Sequence, residues 1–212
     1  SEDCMLTKSI YKRVPIFAKN PGHKASGEDE WGFEYMTKMF DMADNSGEFI
    51  DASDVHVSIG STERAPISSE TMSPVYEAKY LWLYDYHHFS GELTGPRYWI
   101  KNERVEERLR PKHWEQNWLM GWRGVTNATN ERSVICSFFP RYAASHSIRV
   151  LLVRRPASMC SLLVGCLSSL ALDYVARQKI GGVNLTVEVL SQLPVLPPCR
   201  FSRSDAHFIN PR

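Results

Sequence analysis

Val134-Ile135-Cys136-Ser137-Phe138-Phe139-Pro140, then Val150-Leu151-Leu152-Val153, then the run from Ser158 to Gln178 follow one another within residues 134–182. The first two are short apolar runs rich in β-branched and aromatic residues, bounded by Pro140 and by Arg154-Arg155, which predicts two strands. The third is long enough for several helical turns, and Met159, Leu162, Leu163, Cys166, Leu167 and Leu170 mark its core stripe. Gly181 and Gly182 are expected to stop that helix in a left-handed turn, a conformation glycine adopts without steric cost. Strands and helices without β-α-β alternation predict an α+β fold, a mixed sheet with packed helices.

Upstream, Val75 to Tyr84 reads as a strand followed by a turn at His87 to Pro96, and Tyr98-Trp99-Ile100 as another short strand. Glu103–Arg110 and His113–Trp122 are predicted helical, the second setting Trp114, Trp118 and Trp122 four apart on one face, a core stripe or a base-stacking platform. Residues 19–30 and 60–74 read as loops, and Trp31 to Phe40 as an amphipathic segment. Downstream, Val187–Leu193 leads into Pro194-Val195-Leu196-Pro197-Pro198. No internal repeat is present.

The chain has 212 residues and 24.3 kDa, enough for one sizeable domain or two small ones. Its 25 Lys+Arg against 24 Asp+Glu give a net charge of +1, which hides an asymmetry. Residues 1–96 hold 8 Lys+Arg and 16 Asp+Glu, a net of −8; residues 97–212 hold 17 and 8, a net of +9. A basic part of this kind suits a polyanion partner. The five cysteines, Cys4, Cys136, Cys160, Cys166 and Cys199, form no C-x-x-C pair and suggest a reducing cytoplasm. The longest apolar stretch, Leu162–Leu172, is about half of the ~20 residues a membrane span needs. No secretory signal is read at Ser1-Glu2-Asp3, a start without Met that suggests a piece of something longer, and the sequons at Asn127 and Asn184 are taken as coincidence.

No G-x-G-x-x-G, Walker lysine loop, H-E-x-x-H or C-x-x-C motif announces a cofactor or zinc. His87-His88 would point to opposite faces of a strand and make a poor ligand pair. Glu77-Ala78-Lys79 is either a salt pair or polar edge, or the carboxylate and water-orienting lysine of a metal-dependent nuclease, with Asp51, Asp54, Glu63 or Glu70 completing the metal site. Arg123-Gly124-Val125-Thr126-Asn127-Ala128-Thr129-Asn130-Glu131-Arg132 offers residue types that read base edges and approach phosphate, and it equally suits a capped turn. Arg177-Gln178-Lys179-Ile180-Gly181-Gly182-Val183-Asn184 places cations at a helix C-terminus, where they suit the dipole, beside glycines that let a backbone approach phosphate.

Four ordered segments carry a resemblance: Pro74 to Tyr80, Trp118 to Ile135, Leu172 to Leu185, and Gln192 to Pro198. Together they resemble the C-terminal part of large bacterial restriction-modification proteins of the type IIG kind. In that family an adenine-specific DNA methyltransferase domain, sometimes fused to a nuclease, is followed by a target recognition domain. Val14-Pro15-Ile16 and Met39-Phe40-Asp41-Met42-Ala43 are similar to the joining segment. The resemblance implies an acidic joining segment over residues 1–72, a target recognition domain over 73–200 and a tail over 201–212. It implies binding of double-stranded DNA through Lys79, Arg123, Asn127, Thr129, Asn130, Arg132, Arg177, Gln178, Lys179, Gly181, Gly182 and Asn184. Lys79, Arg123, Arg132, Arg177 and Lys179 are expected on phosphates, and Asn127, Asn130, Gln178 and Asn184 on base edges.

After Lys79 the family commonly continues with methionine and a Phe-Asp-His-Arg-like run, where this chain has Tyr80 to His88. The family's Asn-Pro-Pro-Tyr/Phe motif and glycine-rich S-adenosylmethionine motif are absent from these residues, so the chain alone is not expected to methylate. S-adenosylmethionine, and Mg²⁺ for any cleavage, would belong to the intact protein, whose methyltransferase domain would be the second partner after DNA; no membrane is expected. A metal-dependent nuclease built on Glu77 and Lys79, and a protein-interaction module without specific DNA contacts, are the alternatives.

Overall fold

A computed structural model describes residues 2–19, 21–22, 30–54, 71–85 and 95–209. His87-His88, Glu63 and Glu70 lie outside the described residues. Helix α1 (Glu2–Arg13) precedes strands β1 (Phe33–Met36), β2 (Ile50–Asp51) and β3 (Met72–Tyr76). Then come β4 (Tyr98–Lys101), α2 (Asn102–Leu109), β5 (Trp118–Arg123), β6 (Cys136–Pro140), β7 (Ala143–Ala144) and β8 (Ile148–Val153). Helices α3 (Ala157–Leu167), α4 (Leu170–Lys179), α5 (Val187–Ser191) and α6 (Arg203–Ile209) follow.

The strands form two four-stranded sheets, one antiparallel in the order β1-β8-β5-β6 and one mixed in the order β2-β4-β3-β7, with β3 and β7 parallel. The fold is α+β. Strand β8 is apolar at nearly every position because both of its faces are covered. Leu151 and Val153 pack with Met120, Trp122 and the helical residues Leu163, Leu167, Leu172 and Val175. Ile148, Val150 and Leu152 turn the other way, onto Leu119, Phe139, Tyr76, Tyr80, Ile100 and Leu109. Gly121 allows β5 to lie against β8, since a Cβ there would stand 2.6 Å from the Arg149 carbonyl oxygen.

The structure departs from the sequence reading at four places. His113–Trp122 is not a helix: β5 begins at Trp118, because a spacing of four is also two strand periods and Leu119, Met120 and Trp122 are buried on the two faces. The Ser158–Gln178 helix breaks into α3 and α4, bent by 59°, where the Ser169 hydroxyl caps α4 by accepting from Leu172 N, and Leu170 is 75% exposed. Helix α4 ends at Ile180 in extended backbone, and the positive-φ glycines among the described residues are Gly22, Gly32 and Gly95, not Gly181 and Gly182. The Val75–Tyr84 strand stops at Tyr76 and gives way to a 3₁₀ turn over Ala78–Tyr80. The amphipathic segment Trp31–Phe40 is strand over Phe33–Met36.

Residues 15–18 run beside 191–195, with Phe17 N donating to Leu193 O at 2.8 Å and Val195 N to Pro15 O at 3.0 Å. Among the described residues no single helix is long and apolar enough to cross a membrane. Burial pushes the thiol of Cys136 up to about 12 and that of Cys160 to about 11.

Candidate nucleic-acid interface

Beyond Arg123 the chain leaves the sheet and pairs with the segment that follows α4. Thr126 N donates to Val183 O at 3.0 Å and Leu185 N to Gly124 O at 2.9 Å, which sets Val125 opposite Asn184 in a short antiparallel ribbon. Trp122 anchors it from below, its Nε1 donating to Leu185 O at 3.0 Å. A Cβ at Gly124 would stand 2.7 Å from Arg149 Nε, so glycine here lets Arg149 lie against the ribbon.

The loop after the ribbon is built from its own polar residues. Asn127 Oδ1 accepts from Thr129 N at 2.9 Å and from Thr129 Oγ1 at 2.7 Å, closing a turn. Asn130 Nδ2 donates to Thr126 Oγ1 at 3.2 Å. Where the loop returns, Ser133 N and Val134 N both donate to Asp173 Oδ1 at 2.8 Å. Asp173, on α4 and 3% exposed, also accepts from Arg177 Nε at 2.9 Å. The rest of the Arg177 guanidinium donates to the carbonyls of Ala128, Asn130 and Glu131, and Arg132 Nη2 donates to that of Ser168. Arg132 Nε lies 3.7 Å from Asp173 Oδ1, and its side chain is 12% exposed. Arg177 therefore clamps the loop to one buried carboxylate, a strong use of a guanidinium fork, while Arg132 adds its charge beside the same carboxylate without a hydrogen bond to it.

The first motif joins the same region. Ser147 Oγ accepts from Ala78 N at 2.9 Å while Ser147 O accepts from Gly124 N at 2.8 Å. Arg123 Nε donates to Leu81 O at 2.7 Å and its guanidinium lies 4.9 Å from the centre of the Trp82 ring. Lys79 pairs with Glu77 Oε1 at 2.8 Å and stands over Tyr80. Three stretches far apart in sequence, at 77–82, 123–132 and 177–185, thus meet around Ser147 and Gly124.

The remaining candidates spread along α4 and beyond. Gln178 Oε1 accepts from Thr7 Oγ1 at 2.9 Å, and Lys179 Nζ donates to Gln192 Oε1 at 3.3 Å while facing the Tyr11 ring. Gly181 and Gly182 are exposed with open space around them. Asp51 is held by Arg97 at 3.0 Å and by Ser53. Among the described residues no group of three or more His, Cys, Asp or Glu could hold a metal ion.

Two residues of the region escaped the sequence reading. Asp173 could have been suspected as an acid among the apolar residues of its helix, Leu172, Val175 and Ala176. Arg149 is a charge inside the otherwise apolar strand Ile148–Val153. Burial pushes the guanidinium groups of both Arg123 and Arg149 down, and neither forms an ion pair with a described carboxylate. Glu188 pulls on Arg149 from beyond ion-pair distance.

Fold and site together define an α+β protein that presents a braced loop and a ribbon flanked by two arginines lacking a bonded counter-charge. No family model matches this chain, and no curated protein matches it.

Proposed function

We propose that this chain is the DNA-recognition part of a restriction-modification enzyme, binding duplex DNA and placing a methyltransferase domain outside these 212 residues on its target adenine. The observation that carries the reading is the meeting of three separate Arg- or Lys-bearing motifs at one ribbon and loop. The loop is ordered before any ligand arrives, because Arg132, Arg177 and Asp173 fix it from within. Such preorganisation lowers the ordering cost of binding. Arg123, Arg149 and Lys179 supply positive charge for phosphates, a salt-dependent and sequence-independent contribution. Residues at the ribbon would reach base edges, and the target adenine would be turned out of the stack toward the methyltransferase domain of the intact protein, which would supply the methyl-transfer chemistry. Such an enzyme works in the cytoplasm.

The test is a salt-titrated binding assay on a randomised duplex library. Affinity is expected to fall steeply with salt and to weaken when Gln178→Glu and Lys179→Glu are combined, with one sequence enriched after selection. Absence of duplex binding at low salt, or binding indifferent to that charge reversal, overturns the proposal.

A further inference from the structure

Building on the DNA-recognition reading, we infer that Val125 and Asn184 together read an A·T base pair through the major groove, the Asn184 amide on the adenine edge and Val125 on a thymine methyl. Bidentate recognition of adenine uses an amide oxygen to accept from N6 and an amide nitrogen to donate to N7, so both ends must be available. Three of the four amide side chains in the region are already engaged. Asn127 spends its oxygen on Thr129, Asn130 its nitrogen on Thr126, and Gln178 its oxygen on Thr7. Asn184 is exposed and has no side-chain hydrogen bond to the described residues.

Its neighbour completes the chemistry. Val125 faces Asn184 across the ribbon, and the flanking hydrogen bonds make this a pair without bonds of its own. In such a pair the side chains leave the same face with Cβ atoms about 4.5–5.5 Å apart, close enough to contact a single base pair together. Val125 is 53% exposed, whereas the adjacent Thr126 and Leu185 are buried at 4% and 0%. An apolar side chain kept in water beside a free amide complements the methyl and hydrogen-bonding edge of A·T.

The surroundings fit the same occupant. The major groove, about 12 Å wide, admits a two-stranded ribbon. Arg149 lies level with Trp122 and Arg123 level with Ile148, so the two arginines stand on opposite faces of the sheet at the ribbon's base. A ribbon flanked by cations on both sides matches a groove walled by phosphates on both sides.

The 212-residue chain is used throughout. The duplex selected from the library is remade with 7-deazaadenine at each adenine and, separately, uracil at each thymine. At one A·T pair, 7-deazaadenine is expected to weaken binding roughly 5- to 150-fold. Loss of the methyl is expected to weaken it about fourfold. Asn184→Ala abolishes the first sensitivity and Val125→Ala the second, with melting temperatures unchanged because both side chains are exposed. Selection without a fixed A·T pair, or sensitivity that survives in Asn184→Ala, overturns this assignment while DNA recognition stands. If no duplex binds at all, both fall.

Discussion

Arg132 and Arg177, in and behind the loop, and Arg123 and Arg149, at the base of the ribbon, are compensated in opposite ways. The first two share the buried charge of Asp173, and of their other donors those of Arg177 go to loop carbonyls and that of Arg132 to Ser168 O between α3 and α4. The second two are half-buried against Leu81 O and the Trp82 ring, and against Gly124 and Thr37 O, with no bonded carboxylate. Burial pushes their guanidinium groups down because desolvation there outweighs the counter-charge, none being bonded to Arg123 or Arg149 and Glu188 acting on Arg149 only from beyond ion-pair distance. The contrast shows how a basic segment divides its cations. A compensated arginine builds the loop and carries little field outward, while an uncompensated one leaves a positive potential that an anion can satisfy.

The largest expected effect comes from removing what the first pair shares. Asp173→Ala deprives Ser133 N and Val134 N of their acceptor and leaves two arginines without counter-charge in a largely buried place. Denaturant unfolding should show a loss of about 3–5 kcal/mol. Asp173→Asn keeps one acceptor oxygen and should lose less. A loss below about 1 kcal/mol for the alanine variant would show that the loop is held by something other than this carboxylate.

That clamp also marks the limit of what the sequence discloses. Strands β6 and β8 are legible because a run covered on both faces is apolar at nearly every position, Ser137 and Arg149 being the polar exceptions. The α+β class follows from them. The helix expected over His113–Trp122 fails because Trp118 and Trp122 share a face in either periodicity, and the partner strands that decide between them lie elsewhere in the chain. The break at Ser168-Ser169 is hidden because apolar residues continue on both sides of it, although Ser169 is a good cap residue. Residue types in 123–132 and 177–184 point to a polar, cation-bearing surface, yet they do not say which arginines are spent inward. Asp173 decides that from a helix about 40 residues beyond the loop it holds, and only folding places it there. Asn127, Asn130, Gln178 and Asn184 look alike in sequence, and only their hydrogen bonds separate them.

A smaller effect should follow from Arg177→Ala, because Asp173 keeps both backbone donors and Arg132. About 2 kcal/mol is expected, since several charge-assisted hydrogen bonds are lost from a third-exposed side chain. Arg177→Lys should recover only part of it, as an ammonium cannot serve the carboxylate and three carbonyls from one plane. Stability recovered fully by lysine would mean that charge alone matters. Arg149→Met breaks the other side of the comparison: it keeps an apolar stem against Gly124, so stability should change by less than about 1 kcal/mol. Under the proposed function its effect lies in DNA binding, where the dependence of log affinity on log salt should become shallower by about 0.9. A large drop in stability with an unchanged salt slope would place Arg149 with the structural arginines.

The smallest effect concerns a compensated pair nearer the surface, Arg141 with Glu106. Arg141 Nε and Nη2 donate to Glu106 Oε1 and Oε2 at 2.8 and 2.7 Å, while Nη1 reaches the carbonyls of Trp114 and Gln116. The Arg141 hydrogen bonds hold the Glu106 carboxyl below its ordinary value of 4.5. A carboxyl lowered in the folded state adds stability that is present above its unfolded value and lost as pH falls through the folded one. The melting temperature of the parent should therefore exceed that of Glu106→Gln at pH 6, and the difference should shrink below about pH 4.5. Comparing the two proteins cancels the other acids lowered in the folded state, Glu34, Asp41, Glu48, Asp51, Glu188 and Asp205. Because the Glu106 side chain is 47% exposed, high salt should narrow the difference further. A difference that is constant from pH 6 to pH 3 would mean that this pair contributes geometry and no charge.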